Sequence, residues 1–193
     1  MGGDRLNYIV APIVEGYGDV PAVRVLLNRL APQLMVANPV RHGRGQLSQR
    51  DGLKRAAAIA AANIAGRGAI LLLIDADDDC AATKALELAN WLSADFGHVF
   101  SRVVFVVKEF EAWIVGGDAI YGVDDPDKAG NLEGRIREVH GKYKKSVDQP
   151  KHIFRADMDR LRMVSRSFRR FDKVVREIVA DAESSPITVH LES

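Results

Sequence analysis

The chain has 193 residues, of which 47% are hydrophobic and 27% are charged, and its formal net charge is +1. That length suits one α/β domain with a substantial core, and no apolar run approaches the roughly 20 residues that a membrane-spanning helix needs. The single cysteine, Cys80, excludes an intrachain disulfide framework and a cysteine zinc site. The first residues show no signal-peptide or myristoylation pattern, so we expect a cytoplasmic protein that does not associate with membranes.

The small net charge conceals a basic segment. Residues 135–176 contain 14 Lys/Arg and 5 Asp/Glu, which gives this segment a net charge of +9. Residues 1–134 and residues 177–193 each carry a net charge of −4. This segregation is typical of a protein that binds a polyanion such as nucleic acid, although a helix with a solvated basic face shows the same pattern.

Strands and helices are predicted to alternate along the first 116 residues. A strand over 8–14 is followed by a glycine turn and a helix over 20–30, for which Asp19 is the expected N-cap. The further predicted elements are a strand at 34–36, a loop at 38–49, a helix at 51–64, a strand at 69–74, a helix through about residue 92 and a strand at 103–107. Strands separated by helices of this length predict an α/β fold, with a mostly parallel sheet sandwiched by helices.

Beyond Gly116 the pattern changes to helices and loops. Residues 157–182 carry apolar side chains at three- and four-residue spacing, which predicts a helix with one buried face that includes Phe168 and Phe171. A last strand is predicted at 187–191, and Cys80 is expected to be a small buried residue at a helix start. We therefore divide the chain into an α/β core (residues 1–116) and a basic, mainly helical C-terminal subdomain (residues 117–193) packed on that core.

An aliphatic strand that ends in carboxylates is the most informative stretch of the sequence. The run of residues 70–74 is followed by Asp75, Asp77, Asp78 and Asp79. Side chains alternate along a strand, so Asp75 and Asp77 project from the same side. Two carboxylates about 4 Å apart repel each other by roughly 4 kcal/mol at an effective dielectric near 20, and a divalent cation such as Mg²⁺ or Mn²⁺ removes that repulsion. Capping of the next helix needs only one or two acids, so the pattern favours a metal site with Asp75, Asp77 and Asp79 as candidate ligands.

Three further acids follow other predicted strands. Glu15 ends the first strand and would lie at the same sheet edge as Asp75 if both strands are parallel, which is where open α/β sheets place their sites. Glu109 and Glu111 follow the strand at 103–107 and are candidates for a second metal site. An alternative role for Glu111 is to anchor Trp113 and the following loop through hydrogen bonds.

Several basic side chains are candidate contacts for nucleic-acid phosphates. Arg41 and Arg44 lie in a glycine-rich loop, whose exposed N–H groups also suit phosphate. Lys108 follows a buried strand and would contact phosphate or neutralise the nearby acids. The remaining candidates are Lys144, Lys145, Lys151, Arg169 and Arg170.

Three familiar motifs are only partly present. Gly16-x-Gly18-x-x-Pro21 resembles a dinucleotide-binding fingerprint, but the adjacent Glu15 would repel a pyrophosphate. A strand that ends in acids also occurs in P-loop NTPases, yet the sequence lacks their Gly-x-x-x-x-Gly-Lys-Ser/Thr motif. An aspartyl phosphatase would carry Thr or Val where Asp79 stands.

The acids together resemble the TOPRIM superfamily, which includes topoisomerases, primases and overcoming-lysogenization-defect-type nucleases. Glu15-Gly16, Asp19 and Asp75-x-Asp77 carry this resemblance, with Asp19 at a position where many TOPRIM nucleases have Glu. Most of the chain is also similar to an uncharacterised bacterial TOPRIM-like family. That similarity rests on Val14-Glu15-Gly16, Lys108-x-Phe110-Glu111-Ala112-Trp113, Tyr143-x-Lys145-Ser146-Val147-Asp148-Gln149-Pro150 and Ser165-x-Ser167-Phe168-Arg169-Arg170-Phe171.

The resemblance implies a TOPRIM-like fold and a metal-dependent nuclease that acts on DNA or RNA. Asp75 and Asp77 would bind Mg²⁺ (or Mn²⁺), and Glu15 would act as general acid/base or as a metal ligand. It also implies an effector of phage defence or of a mobile element with an ABC-type ATPase partner, and it leaves a homodimer open. Two alternatives remain at this point: a non-catalytic module that binds nucleic acid or protein, and a phosphotransferase or phosphatase acting on small nucleotides.

Overall fold

A parallel β-sheet forms the centre of the protein. The structure is a computed structural model, and it describes residues 6–64, 66–76 and 80–184. Within these residues the order of strands across the sheet is β2–β1–β4–β5, with β3 also paired to β1, and every pairing is parallel. The strands are β1 (Ile9–Val14), β2 (Met35–Val36), β3 (Val40–Arg41), β4 (Gly68–Asp75) and β5 (Phe100–Val106). The predicted parallel sheet is therefore confirmed.

Helices cover both faces of the sheet. They are α1 (Asp19–Leu30), α2 (Arg44–Leu47), α3 (Arg50–Ile64), α4 (Ala81–Phe96), α5 (Glu111–Gly116), α6 (Leu132–His140), α7 (Lys145–Arg155), α8 (Met158–Val164) and α9 (Arg166–Ser184), with a 3₁₀ turn at Ala119–Tyr121. One face of the sheet packs against α3 and α4, and the other packs against α1, α5 and α9. Both faces of β4 are consequently buried, which explains its continuous aliphatic run. The predicted α/β sandwich is confirmed.

The edge formed by β2 and β3 is one strand with an interruption. β2 pairs with the start of β1 and β3 pairs with its end, where Arg41 lies opposite Val14. Pro39 lies in the break and has no backbone N–H to donate to a ladder. The loop predicted at 38–49 was thus wrong in part, because it contains both β3 and the short helix α2.

The segment predicted as one helix at 157–182 is two helices. α8 ends at Val164 and α9 begins at Arg166, with Ser165 between them. The hydroxyl of Ser165 donates to Asp127 Oδ1 at 2.9 Å, and Asp127 Oδ2 accepts from the backbone N–H of Ser167 at 2.9 Å. These bonds satisfy donors at the start of α9, so a carboxylate from a distant loop creates the helix boundary.

Aromatic packing ties α9 to the sheet layer. Trp113 is fully buried against Phe110, Phe168 and Phe171, at ring-centroid distances of 5.0–5.4 Å. Its indole Nε1 donates to Ser167 Oγ at 2.8 Å. The prediction that Phe168 and Phe171 are core residues is confirmed. Because this core is continuous from β1 through α5 to α9, the helices after residue 116 pack directly on the sheet layer. The division of the chain at residue 116 stays a prediction.

The chain reverses its direction of travel across the sheet between β1 and β4. From β1 it moves through α1 to β2 on one side, and from β3 it crosses through α3 to β4 on the other side. α1 and α3 accordingly lie on opposite faces. In open α/β sheets, the crevice at such a reversal is the usual place for a ligand site.

Three smaller outcomes concern the ends of elements. Asp19 is the first residue of α1, and Gly18 is the N-cap. Cys80 precedes α4 as predicted, but it is exposed and not buried. The strand predicted at 187–191 lies outside the described residues.

Among the helices that the structure describes, none combines the length and the apolar character needed to cross a bilayer.

Candidate functional site

A cleft of about 460 Å³ opens at the carboxyl edge of the sheet, between the ends of β1 and β4. We call it the acidic cleft. Its lining comprises Glu15, Gly16, Tyr17, Gly18, Asp19, Asp75, Glu111, Lys144, Lys145 and Ser146. The structure therefore brings together three of the predicted acids, which lie 60 and 36 residues apart along the chain, and adds Asp19 to them.

Asp75 has a strongly raised pKa. It is the last residue of β4 and is half-buried. Burial, reinforced by the negative charges of Asp19, Glu15 and Glu111, raises the pKa of Asp75 to about 9, although the ammonium of Lys145 opposes this. Asp75 thus keeps its proton at neutral pH as long as no further cation enters the cleft.

Arg44 fixes the backbone where β4 ends. Its guanidinium donates to the carbonyl oxygens of Asp75 at 2.9 Å and Ala76 at 3.3 Å. Arg44, which was predicted to contact phosphate, therefore holds the backbone of Asp75 and Ala76 in place. Asp77 and Asp79, predicted as metal ligands in that loop, lie outside the described residues.

The turn after β1 is held in place by hydrogen bonds and by a close contact with α7. Asp19 Oδ2 accepts from the backbone N–H of Gly16 at 2.8 Å, and Asp19 Oδ1 accepts from Gln149 Nε2 at 2.8 Å. A Cβ at Gly18 would come within 1.9 Å of Gln149 Oε1, so only glycine allows α7 to approach this closely. These contacts hold the turn that carries Glu15 against α7, a helix that lies more than 120 residues away in sequence.

Glu111 is a buried carboxylate at the start of α5. It is 1% exposed, accepts from the Tyr143 hydroxyl at 2.8 Å and lies 3.2 Å from Lys145 Nζ. Burial raises the pKa of Glu111, although Lys145 and Tyr143 oppose the shift. Burial and the nearby Glu111 carboxylate also raise the pKa of Tyr143, so its hydroxyl remains a donor. In the alternative role considered for Glu111, it would anchor Trp113 and the following loop, but the Trp113 indole N–H donates to Ser167 Oγ instead.

Three glutamates beside the cleft could bind a metal ion. Glu109, Glu111 and Glu133 each offer one carboxylate oxygen, and these oxygens lie within 4.8 Å of one another. The ammonium of Lys145 lies among them, at 3.1 Å from Glu109, 3.2 Å from Glu111 and 3.1 Å from Glu133. Burial lowers the pKa of Lys145, but these carboxylates outweigh that effect and hold it above its ordinary value. We call this group the glutamate cluster.

Two other predicted phosphate contacts lie at or near the cleft. Lys144 lines it and is the N-cap residue of α7. Arg41 places its guanidinium over the ring of Tyr17, 3.9 Å from the ring centroid. Lys108 follows β5 and is exposed. Its φ is +67°, a backbone conformation that is uncommon for residues other than glycine.

The remaining predicted contacts lie elsewhere. Lys151 pairs with Asp148 at 2.9 Å on the exposed surface of α7. Arg169 donates to the carbonyl oxygens of Arg162 and Met163, and Arg170 lines a separate groove beside β5. Among the described residues, neither arginine belongs to the lining of the acidic cleft.

Sequence reasoning did not assign Tyr17, Glu133, Tyr143 or Gln149 to the site. Tyr143, Lys145 and Gln149 do fall within one of the quoted family motifs, and the structure shows what they share. All three hydrogen-bond to acids of the cleft: Tyr143 and Lys145 to Glu111, and Gln149 to Asp19. No comparable signal marks Glu133 in the sequence.

No family model, curated protein or solved structure matches the chain. The site must therefore be interpreted from its own chemistry. It consists of converging carboxylates, two of which have raised pKa values, with lysine side chains at one wall. Carboxylates repel each other when several are ionised in one cleft, and their hard oxygen atoms are suitable ligands for a divalent cation that removes this repulsion.

Proposed function

We propose that this protein is a TOPRIM-like, Mg²⁺- or Mn²⁺-dependent nuclease that hydrolyses phosphodiester bonds of DNA or RNA in the acidic cleft. The observation that carries the proposal is the convergence of Glu15, Asp19, Asp75 and Glu111 where the chain reverses direction across the sheet. Perturbed ionisable groups gathered in a cleft at such a position are typical of active sites. The assignment to a TOPRIM-like type rests on the sequence motifs that resemble the TOPRIM superfamily.

The donor set fits a hard divalent cation. Asp75, Glu15 and Glu111 would hold the ion, with Asp77 and Asp79 as further predicted ligands. The raised pKa of Asp75 supports this assignment, because burial and then the neighbouring acids disfavour its charged form, and a bound cation would offset both effects. When bound, the ion would neutralise charge that develops on phosphate oxygens during hydrolysis.

The side chains of the cleft would perform the remaining tasks. Glu15 follows β1 in the lining of the cleft, where its carboxylate would either bind the ion or accept a proton from an attacking water. Lys144 and Lys145 supply positive charge at the wall formed by α7, which favours entry of a phosphate. Gln149 and Gly18 keep α7 against the Glu15 turn, so the acids and the lysines hold a fixed relative position.

The distribution of charge supports a polyanionic substrate. Both lysines of the cleft wall belong to the segment 135–176, whose net charge is +9. A nuclease needs such a segment because phosphate contacts supply most of the non-specific affinity for nucleic acid. The logarithm of affinity for duplex DNA should then fall with the logarithm of salt concentration, with a slope of about −0.9 per phosphate contacted.

One observation favours the alternative of a non-catalytic TOPRIM-like module that binds nucleic acid or protein. In the glutamate cluster, Lys145 already supplies a positive charge within 3.2 Å of all three carboxylates. A module of this kind would use the cluster for stability and would need no metal ion there. Loss of partner binding, and not of turnover, would then follow from substitution of the acids.

An ABC-type ATPase partner, a role in phage defence or a mobile element, and a homodimer remain proposals that rest on the resemblance alone. Co-purification of a tagged chain with an ATPase encoded beside it would support the partnership. Recovery of the chain without any ATPase would count against it.

A cleavage assay with isosteric variants tests the proposed function. Labelled single-stranded DNA, duplex DNA and RNA would be incubated with wild type, Glu15→Gln and Asp75→Asn in Mg²⁺, Mn²⁺ or a chelator. We expect metal-dependent products from wild type and a loss of at least about 100-fold in rate for both variants. Asp124→Asn is the matched control, since Asp124 is exposed and outside the lining of the cleft. Equal cleavage by wild type and both variants would contradict the proposal, and absence of cleavage by wild type would favour the binding module.

A further inference from the structure

A solvent-exposed aromatic ring lies at the mouth of the acidic cleft. Tyr17 is 72% exposed and belongs to the cleft lining together with Glu15 and Asp75. Exposed aromatic residues are ordinary when they are scattered over a surface, and Phe154 on α7 is one such residue at 66% exposure. Tyr17 differs because it borders the cleft in which we place the chemistry.

The backbone that carries Tyr17 is rigidly held. Gly16, on one side, donates its N–H to Asp19 Oδ2 at 2.8 Å. Gly18, on the other side, packs so tightly under Gln149 that a Cβ there would lie 1.9 Å from the amide oxygen. An aromatic side chain also has few rotatable bonds, so little conformational entropy is lost when a ligand contacts the ring. Tyr17 therefore presents its ring from a fixed position.

One face of the ring is already covered by a cation. The guanidinium of Arg41 lies 3.9 Å from the ring centroid, within the range of a cation–π contact. Arg41 comes from β3 and pairs in register with Val14, the residue before Glu15, so the Tyr17–Arg41 pair is anchored to the same strand end as the site. With Arg41 on one face and 72% of the residue still exposed, the opposite face is open to solvent.

We propose that Tyr17 is a stacking platform for an unpaired nucleobase, and that the substrate is a single strand or a duplex with unpaired nucleotides at the cleavage site. This inference rests on the proposed nuclease function. A base inside a duplex has both faces covered by its neighbours, so only an unpaired base can stack on a protein ring. Arg41, behind the ring, adds positive charge close to the backbone phosphates of that strand.

Binding measurements on aromatic and non-aromatic variants test the inference. Fluorescence anisotropy would compare a fluorescein-labelled DNA single strand with the duplex formed by the same strand and its complement, in a chelator and again in Ca²⁺. We expect Tyr17→Ala to weaken single-strand binding by about 5- to 150-fold. Duplex binding should stay within about 2-fold of the wild-type value. Tyr17→Trp should retain single-strand binding, and Phe154→Ala is the control for an exposed ring away from the cleft.

The outcomes separate the inference from the proposed function. If Tyr17→Ala binds the single strand as wild type does while wild type cleaves nucleic acid, the stacking platform is refuted and the nuclease stands. If Tyr17→Ala weakens binding of the single strand and of the duplex by the same factor, Tyr17 does not recognise unpaired bases and the inference is again overturned. If wild type binds neither the single strand nor the duplex, in the chelator or in Ca²⁺, both the inference and the proposed nuclease function are refuted.

Discussion

Replacement of Asp75 by asparagine should change how the stability of the protein depends on pH. Asp75 titrates near 3.8 when it is free in water and near 9 in the folded protein. Between these values the folded state keeps a proton that the unfolded state releases, so the free energy of unfolding decreases as pH rises. The limiting slope is about 1.4 kcal/mol per pH unit, or about 4 kcal/mol between pH 4 and pH 7. Solvent access and relaxation of the charged site make the change smaller than this limit. We expect the free energy of unfolding to decrease by about 1–3 kcal/mol between pH 4 and pH 7.

Asparagine has nearly the same shape and does not titrate. Wild type and Asp75→Asn should therefore have similar stability near pH 4, and the variant should become progressively more stable than wild type as pH rises. Chemical denaturation in a chelator, followed by tryptophan fluorescence, to which the buried Trp113 contributes, measures the two curves. Asp124→Asn controls for loss of one exposed carboxylate. Parallel curves for wild type and Asp75→Asn would refute the statement that Asp75 is protonated in the folded protein.

Two further substitutions test other parts of the site. Lys145→Met leaves the buried Glu111 without its ammonium, and because Lys145 is itself 43% exposed we expect a loss of about 1–3 kcal/mol in unfolding free energy. Mg²⁺ should then stabilise this variant more than it stabilises wild type in denaturation experiments, and an equal effect would show that Lys145 does not stand in for a cation. Gly18→Ala should cost about 1–3 kcal/mol because the new Cβ overlaps Gln149 Oε1, and wild-type stability would contradict the close approach of α7.

The part of the site that could be predicted from the sequence follows from strand ends. Parallel strands present their carboxyl ends at one edge, so acids that follow β1 and β4 must be close together whatever the details of packing. Glu15 and Asp75 illustrate this rule, since Val14, the residue before Glu15, is the register partner of Leu73, which lies two residues before Asp75. The fold class was predictable for the same reason, because alternating strands and helices leave few arrangements.

The remainder depends on contacts between distant segments. Gln149 reaches Asp19 across 130 residues, and Tyr143 reaches Glu111 across 32. Such pairs depend on how α7 packs against α1 and α5, and a single sequence carries no local signal for that packing. The break at Ser165 has the same origin, because the carboxylate that caps α9 comes from Asp127 in a distant loop. Local periodicity across residues 157–182 is helical on both sides of the break and therefore conceals it.

The arrangement of charges in and beside the acidic cleft supports the proposal that a cation binds there. Asp75, Glu15 and Asp19 face one cleft, and the ammonium of Lys145 is shared among the three acids of the glutamate cluster. Burial, together with the negative charges of Asp19, Glu15 and Glu111, outweighs the effect of Lys145 on Asp75 and raises its pKa to about 9, so Asp75 holds a proton at neutral pH. Entry of a divalent cation should displace that proton, which couples metal binding to pH.

Calorimetric titration with Mn²⁺ tests the central claim that the acidic cleft binds a divalent cation. Wild type, Glu15→Gln and Asp75→Asn would be titrated near neutral pH in buffers of different ionisation enthalpy, which reports the number of protons released. We expect saturable binding to wild type with release of about one proton per ion, and much weaker binding without release of that proton in Asp75→Asn. Absence of binding to wild type, or equal binding and proton release in all three proteins, would contradict that claim.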